Sequence, residues 1–450
     1  MERLPVQGRI PEWLGGSLVR LSPAGLDVGG KPVRHWFDGL AMLHRFGFAG
    51  GHVSYANRYL DTEARRAAMG DGEWTARGFA QDPCRTLFKR FLSLMGPVEN
   101  DNANVNLTRL GERYLAMTEV PMPVEFDPET LATIGVEWAQ EGPRAHATTA
   151  HPHHDAERGE LVNYTVRFGP RSTYRVTGRP GEGETRTIGS RSVRRPSYMH
   201  SFAMTERYVV LVEWPLVVDP TAFALSGRPF IENYRWRPEL GTRFTVFDKA
   251  TGEVRELGEA EPLFCFHHVN AFERGAELVI DIAAYDDAAV IEDLYLDRLR
   301  SGAVPGHRSS LRRCTVPLDG GPVRVERLSD AWLELPRIDY ARRNTRDYRC
   351  VYGVSLAREE LFPGLVKVDV GSGDSTEWCA AGSHPGEPIF VAAPHGEQED
   401  DGVVLSVVLE PAAGRSYLLV LDACTFEELG RAEAPHGIPF GFHGAHFSHA

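Results

Sequence analysis

The feature that most limits what this chain can fold into is a recurring hairpin. An apolar strand, a turn carrying Asp or Gly, and a more polar strand come round repeatedly. The turns read FAGG at 48–51, FDPET at 126–130, VTG at 176–178, FDKATG at 247–252, LDGG at 318–321, VDVGSG at 368–373 and LDACT at 421–425. Asp suits a turn because its side chain bonds its own backbone, and Gly because it accepts positive φ. Taking residues 50, 127, 178, 248, 319, 369 and 422 as markers, the separations lie between 50 and 77 residues. Arg207–Trp214, Leu278–Tyr285, Val403–Leu409 and Tyr417–Leu421 are short and rich in Val, Leu and Tyr, as strands are. Hairpins at this quasi-regular spacing predict an all-β fold with about one hairpin per blade of a β-propeller. Spacing alone leaves an array of β-sandwiches open.

At 450 residues the chain exceeds the size at which one core splits into domains. It has no Pro/Gly/Ser linker and no low-complexity tract. A repeat architecture, many small units in a single domain over 1–450, reconciles the two. The net charge of −13 argues against nucleic acid as a partner. Six cysteines stand at 84, 265, 314, 350, 379 and 424 with no CxxC pair, so reduced cytosolic thiols are expected. The start, MERLPVQGRIPEW, has no apolar signal region, and no apolar run approaches the ~20 residues of a spanning helix. The expectation is a cytoplasmic protein, soluble or bound at a membrane surface.

Four histidine segments carry the chemistry: TAHPHH around His151, PSYMHSF around His200, CFHHVNAFE around His267 and FGFHGAHF around His443. They lie 49 to 176 residues apart, so they can meet only where several structural units converge. Taken singly, a His is more often a surface or satisfied core residue than a ligand. Four converging neutral imidazoles suit Fe, Cu, Ni or Zn.

The same segments resemble one family, the carotenoid cleavage oxygenases. The resemblance also covers GRIPEWLGGSLVR (8–20), HWFDGLAMLHRF (35–46), DNANVNL (101–107), FDPETL (126–131), WLELPRIDY (332–340), GEPIFV (386–391) and EDDGVVLSVVLEP (399–411). It implies a seven-bladed propeller capped by loops and short helices over a metal site. It implies one Fe(II) per chain held by His151, His200, His267 and His443, in preference to their neighbours His153, His154, His268 and His446. It implies that Glu119, Glu334 and Glu387 hold the rings of His200, His267 and His443, leaving His151 without a carboxylate. Such outer partners fix the tautomer of a ligating His. Thr118, Phe266 and Phe442 would then contact substrate, although Phe is more often core. Asp38 in HWFDG reads as turn chemistry.

The segment DPCRTLFKRFLSLMG (82–96) sets Leu87, Phe88, Phe91, Leu92 and Met95 at helical spacing with Arg85, Lys89 and Arg90 between them. That pattern suits a helix lying in a membrane interface, with Cys84 open to acylation; a core-facing helix is the rival. The activity implied is O2-dependent scission of a carotenoid or apocarotenoid double bond. The alternatives are stilbene cleavage and a retinyl-ester-type isomerohydrolase. Stilbene cleavers grip a phenol with Tyr and Lys; this chain has four Lys, at 31, 89, 249 and 367, none between Glu119 and His151. A metal-free propeller scaffold is a further alternative, which retention of all four His and three Glu disfavours.

Overall fold

The computed structural model describes all residues except 1, 71, 73, 75–77, 82–99, 138–144, 303, 304, 358, 359, 449 and 450. The fold is mostly β, and strands pair antiparallel, chiefly with their neighbours in sequence. One sheet orders Glu2–Arg3, His52–Tyr59, Leu40–Ala49, Gly16–Ala24 and Gly444–Phe447. The next runs from Asn106–Leu110 to Thr133–Val136, and another from Ala147–Thr148 and His153–Asp155 to Arg186–Val193. Ala203–Met204 to Val254–Ala260 make a fourth. A seven-stranded sheet extends from Phe264–Arg274 to Ser375–Trp378. In it the long strand Arg324–Arg337 pairs first with Ser310–Pro317 and then, from Leu333, with Cys350–Ser355. The last large sheet begins at His384–Pro385 and Ile389–Ala392, passes through Glu428–Glu433 and ends on Val6–Gly8. The two ends of the chain therefore interlock twice, Val19 facing Ala445 and Gln7 facing Arg431.

Apolar faces join these sheets in succession. Val19 and Leu43 share a cluster with Leu107, Ala116 and Val124. Leu110 and Leu115 meet Leu161. Tyr174 and Val176 lie in one large cluster with Val209, Val246, Leu278, Tyr352 and Val404. Phe272 and Leu311 pack with Val351 and Val366. Leu405 and Leu418 close back onto Leu18 and Phe46 of the first sheet.

Four of the predicted turns are one device built four times. Asp127, Asp248, Asp369 and Asp422 each accept backbone N–H bonds from the residues two and three further on. In each, the residue four further on donates its N–H back to the Asp carbonyl at 2.8 Å. That residue is left-handed: Leu131, Gly252, Gly373 and Phe426 have φ of 58°, 75°, 82° and 63°. The FAGG and LDGG turns also join consecutive strands. VTG at 176–178 does not. It lies inside the strand Ser172–Pro180, across a register shift at Val176. The Glu160 carboxylate lies over Gly178, 2.3 Å from where a Cβ would stand.

Burial raises the Asp248 carboxyl, but bonds from Thr251, Arg207 and Ala250 outweigh it and hold the pKa at about 2. A lowered carboxylate stabilises the fold above its ordinary value and loses that effect as pH falls through the folded one. Asp248→Ala should therefore cost about 1–2 kcal/mol at neutral pH. In urea titrations the deficit should shrink between pH ~4 and ~2. A deficit independent of pH would mean the carboxylate charge is not what matters.

The segment 84–95, with Leu87, Phe88, Phe91 and Leu92, lies outside the described residues. Among those described, no helix is long and apolar enough to cross a membrane. Cys265, Cys314 and Cys350 are buried free thiols.

Candidate metal centre

Four sheet margins bring four histidines together. His151 lies in the link between Ala147–Thr148 and His153–Asp155, two short strands on the same neighbour. His200 comes three residues before Ala203–Met204, His267 is within Phe264–Arg274, and His443 directly precedes Gly444–Phe447. Each of these strands is marginal in its sheet. One ring nitrogen from each histidine lies within 4.8 Å of the other three. His151 Nε2 is 3.0 Å from His200 Nε2, and His267 Nε2 is 3.2 Å from His443 Nε2.

Local backbone irregularities aim these side chains. Cys265 faces Ala284 and His268 faces Ile282, so the strand carries one extra residue around Phe266 and His267. Such a bulge re-aims a side chain out of the regular alternation. Glu334 stands on a second bulge, with Glu334 facing Val354 and Arg337 facing Tyr352. Leu335 beside it has φ 50°, uncommon without glycine, and its N–H donates to Glu334 Oε2 at 2.5 Å. His443 is held by Leu21 N–H, which donates to its carbonyl at 2.9 Å. The following Gly444 is required, because a Cβ there would approach Val19 O to 2.7 Å. Thr149 ties two segments: its hydroxyl donates to His200 O and accepts from His151 N.

Three carboxylates hold three of the rings. Nδ1 of His200 meets Glu119 Oε1 at 2.7 Å, Nδ1 of His267 meets Glu334 Oε2 at 2.5 Å, and Nδ1 of His443 meets Glu387 Oε1 at 2.7 Å. His151 has no carboxylate contact among the described residues. The three acids differ in surroundings. Glu119 also accepts from Tyr198 Oη at 2.8 Å. Glu387, fully buried, receives Arg337 Nε at 2.7 Å, an Arg20 guanidinium nitrogen at 3.2 Å and Gly444 N at 2.9 Å. Burial would raise the Glu387 carboxyl; Arg337, His443 and Arg20 together hold it far below the usual carboxylate range. Burial, reinforced by the neighbouring imidazoles, pushes His151 well below an ordinary imidazole. Burial pushes His443 down to about 3 despite Glu387. Both are neutral donors at physiological pH.

The neighbouring histidines are engaged elsewhere. His153 bridges Tyr340 Oη and Phe202 O, His154 meets Thr108 Oγ1, His268 meets Ser201 Oγ, and His446 meets Gly15 O. Sequence reasoning missed Thr149, Tyr198, Arg20 and Arg337. Thr149 and Tyr198 each stand two residues before a site histidine, a spacing that could have drawn attention to them. Arg337 stands three residues after Glu334 in WLELPRIDY and Arg20 ends GRIPEWLGGSLVR, but both are far in sequence from Glu387, which they meet.

Two apolar cavities flank the cluster. The first is lined by Trp36, Phe266, Tyr285, Leu335, Phe442 and the rings of His200, His267 and His443. The second is lined by Phe79, Thr118, Glu119, Phe168, Phe230 and His200. Phe266 and Phe442 thus face the first and Thr118 the second. A more polar cavity with Arg337, Asp339 and Tyr340 reaches His151, His267 and His443.

Fold and site define a mostly β protein with a four-imidazole cluster fit for a metal ion. The model of the retinal pigment epithelial membrane protein family matches residues 1–448, and the chain belongs to that family. It is 34% identical to the mitochondrial carotenoid-cleaving dioxygenase of Macaca fascicularis, over 98% of this chain and 90% of the relative. It is 36% identical to the chloroplastic carotenoid cleavage dioxygenase 8 homolog A of Oryza sativa subsp. japonica, over 98% and 84%. The apocarotenoid oxygenase of Synechocystis in a cobalt-substituted crystal form superposes with a TM-score of 0.88 at 26% identity, covering 100% of this chain and 96% of that one.

Proposed function

We propose that this chain is a non-haem Fe(II) dioxygenase that cleaves one double bond of a carotenoid or apocarotenoid, with His151, His200, His267 and His443 as the metal ligands. One observation carries the metal reading. His267 and His443 each commit Nδ1–H to a carboxylate, so both Nε2 atoms present lone pairs, 3.2 Å apart. Facing lone pairs repel, and a cation between them turns repulsion into coordination. Four neutral ligands add no charge, and Glu119, Glu334 and Glu387 offset a divalent ion from one shell out. Iron, in preference to another divalent metal, rests on the family.

The overall reaction is balanced without a reductant: one C=C and the O–O bond break, and two C=O bonds form. Bound Fe(II) supplies the one-electron chemistry that triplet O2 needs to react with a closed-shell alkene. The chain's own residues do the rest. Phe266 and Phe442 line the apolar space beside the cluster and orient a flat polyene there. The apolar walls exclude water from it. The carboxylates keep the Nδ1 protons in place, so each Nε2 remains a donor.

The strand groups read as a seven-bladed propeller if the seven-stranded sheet is taken as two blades sharing Arg324–Arg337. The cyclic succession of apolar clusters supports this reading, as do the twice-interlocked chain ends. Contact of residues 84–95 with a membrane surface fits a lipid-stored substrate. Leu225, 76% exposed on the short helix whose Phe223 lines the second cavity, supports an apolar approach there. Stilbene cleavage is not favoured. Among the described residues no lysine lines the two cavities; Lys249 is paired with Asp155 and Lys367 with Asp400.

The test is anaerobic turnover of a linear apocarotenal or β-carotene, with products separated by chromatography. Aldehyde formation should stop without O2, and oxygen-18 from labelled O2 should enter both fragments when the aldehydes are trapped. Products under argon, or an isomerised alcohol in place of aldehydes, would move the chain to the isomerohydrolase reading.

A further inference from the structure

The geometry points to Phe37 as a specificity-determining residue, a partition that sets which part of a rod-shaped substrate lies against the metal. The inference rests on the polyene-cleaving reading and adds where cleavage falls. Three successive side chains of one 3-10 turn, Trp36–Asp38, divide the space beside the cluster. Trp36 lines the first cavity, Asp38 lines the second, and Phe37 lines both. Val105 and His200 are the other residues common to the two. The pinch between the cavities therefore lies at a candidate ligand.

The Phe37 ring faces both ways. Its centroid is 5.0 Å from that of Phe442 and 5.8 Å from Phe266 on the first side, and 4.9 Å from Phe79 on the second. It lies 6.3 Å from the His200 ring, near parallel to it. Without the ring, the two cavities would join into one apolar passage along the cluster.

The backbone under Phe37 is clamped more firmly than packing alone would need. Buried His35 accepts Phe37 N–H on Nδ1 at 3.1 Å and donates from Nε2 to Ile291 O at 3.1 Å. Asn104 Nδ2 donates to Phe37 O at 2.8 Å and to Gly39 O at 2.7 Å. Asp38 accepts Phe79 N–H at 2.6 Å and Ala80 N–H at 3.0 Å, which fixes the ring that Phe37 meets in the second cavity. A polyene has no polar atoms along its length to be read by hydrogen bonds. Its register across the metal must come from steric stops, and a rigid ring at the pinch is such a stop.

The experiment compares the iron-loaded wild type with Phe37→Ala and Phe37→Leu. On one linear apocarotenal, wild type should give a single pair of fragments. In Phe37→Ala the ratio of fragments from a neighbouring double bond to the main pair should rise roughly 10-fold or more, the scale on which an apolar pocket discriminates by a methylene or two. Phe37→Leu should fall between. A second measurement needs no turnover: displacement of the fluorescent tetraene cis-parinaric acid by n-alkanols of increasing length. Wild-type affinity should stop rising once one cavity is filled; in Phe37→Ala it should keep rising with longer alkanols. If wild type cleaves no polyene but the length limit still shifts, the partition stands and the dioxygenase reading falls. One fragment pair and an unchanged length limit in both variants would overturn the inference, leaving Phe37 as packing. Should Phe37→Ala not fold, Phe37→Leu alone decides by the same two readouts.

Discussion

His200→Ala and His443→Ala should each purify folded but nearly free of iron, with turnover reduced by more than the ~100-fold typical of losing an outer partner of a metal ligand. Removing one of four neutral donors would take away a metal bond and the imidazole partner of a carboxylate, half-buried Glu119 or buried Glu387. His153→Ala, His154→Ala and His268→Ala should retain iron, because those rings bond Tyr340, Thr108 and Ser201 and not the cluster. Iron content by plasma emission and a parallel turnover assay check both sets. Full iron occupancy with turnover in His200→Ala or His443→Ala would sink the ligand assignment.

The three carboxylates should prove unequal, with Glu387→Gln the most damaging. Glu119→Gln and Glu334→Gln disturb one ring each and should lower metal affinity or activity by roughly 10-fold. Buried Glu387 is also the counter-charge for buried Arg20 and for Arg337, whose side chain is 29% exposed. Breaking a buried ion pair by removing one partner costs about 3–5 kcal/mol. Glu387→Gln should therefore lose about 100-fold in metal affinity and lower the unfolding midpoint as well. Adding Arg337→Gln should recover part of the stability without restoring the metal, since the ring of His443 still lacks its carboxylate. Titration of the apoproteins with ferrous ion under argon, alongside thermal unfolding, separates the two effects. Equal losses for all three acids would mean that the arginines contribute nothing at this site.

Some of this was legible before any coordinates. The Asp-containing turns are local, four or five residues bonding among themselves, so their recurrence was visible in the sequence. VTG at 176–178 misled for a corresponding reason. Gly178 lies inside a strand, beneath the Glu160 carboxylate, and a glycine within a strand looks the same in sequence as one in a turn. The pairing of Glu119, Glu334 and Glu387 with His200, His267 and His443 was implied only through the family's motifs, because each pair spans 56 to 81 residues of sequence.

By itself, then, the sequence determined the mostly β character and the position of most turns, because both are written in short windows of side-chain chemistry; the choice of four histidines among seventeen came through the family's motifs. Only the tertiary structure decided how those histidines face one another. Among the described residues it assigned two arginines to Glu387 and none to the other two acids. It set the turn in HWFDG beside two cavities, with Phe37 lining both. Bulges at His267 and Glu334, the close approach of Gly444 to Val19 and the clamp under Phe37 are contacts between segments far apart in the chain. Such contacts depend on how sheets pack, and sheet packing leaves no pattern in any single stretch of residues.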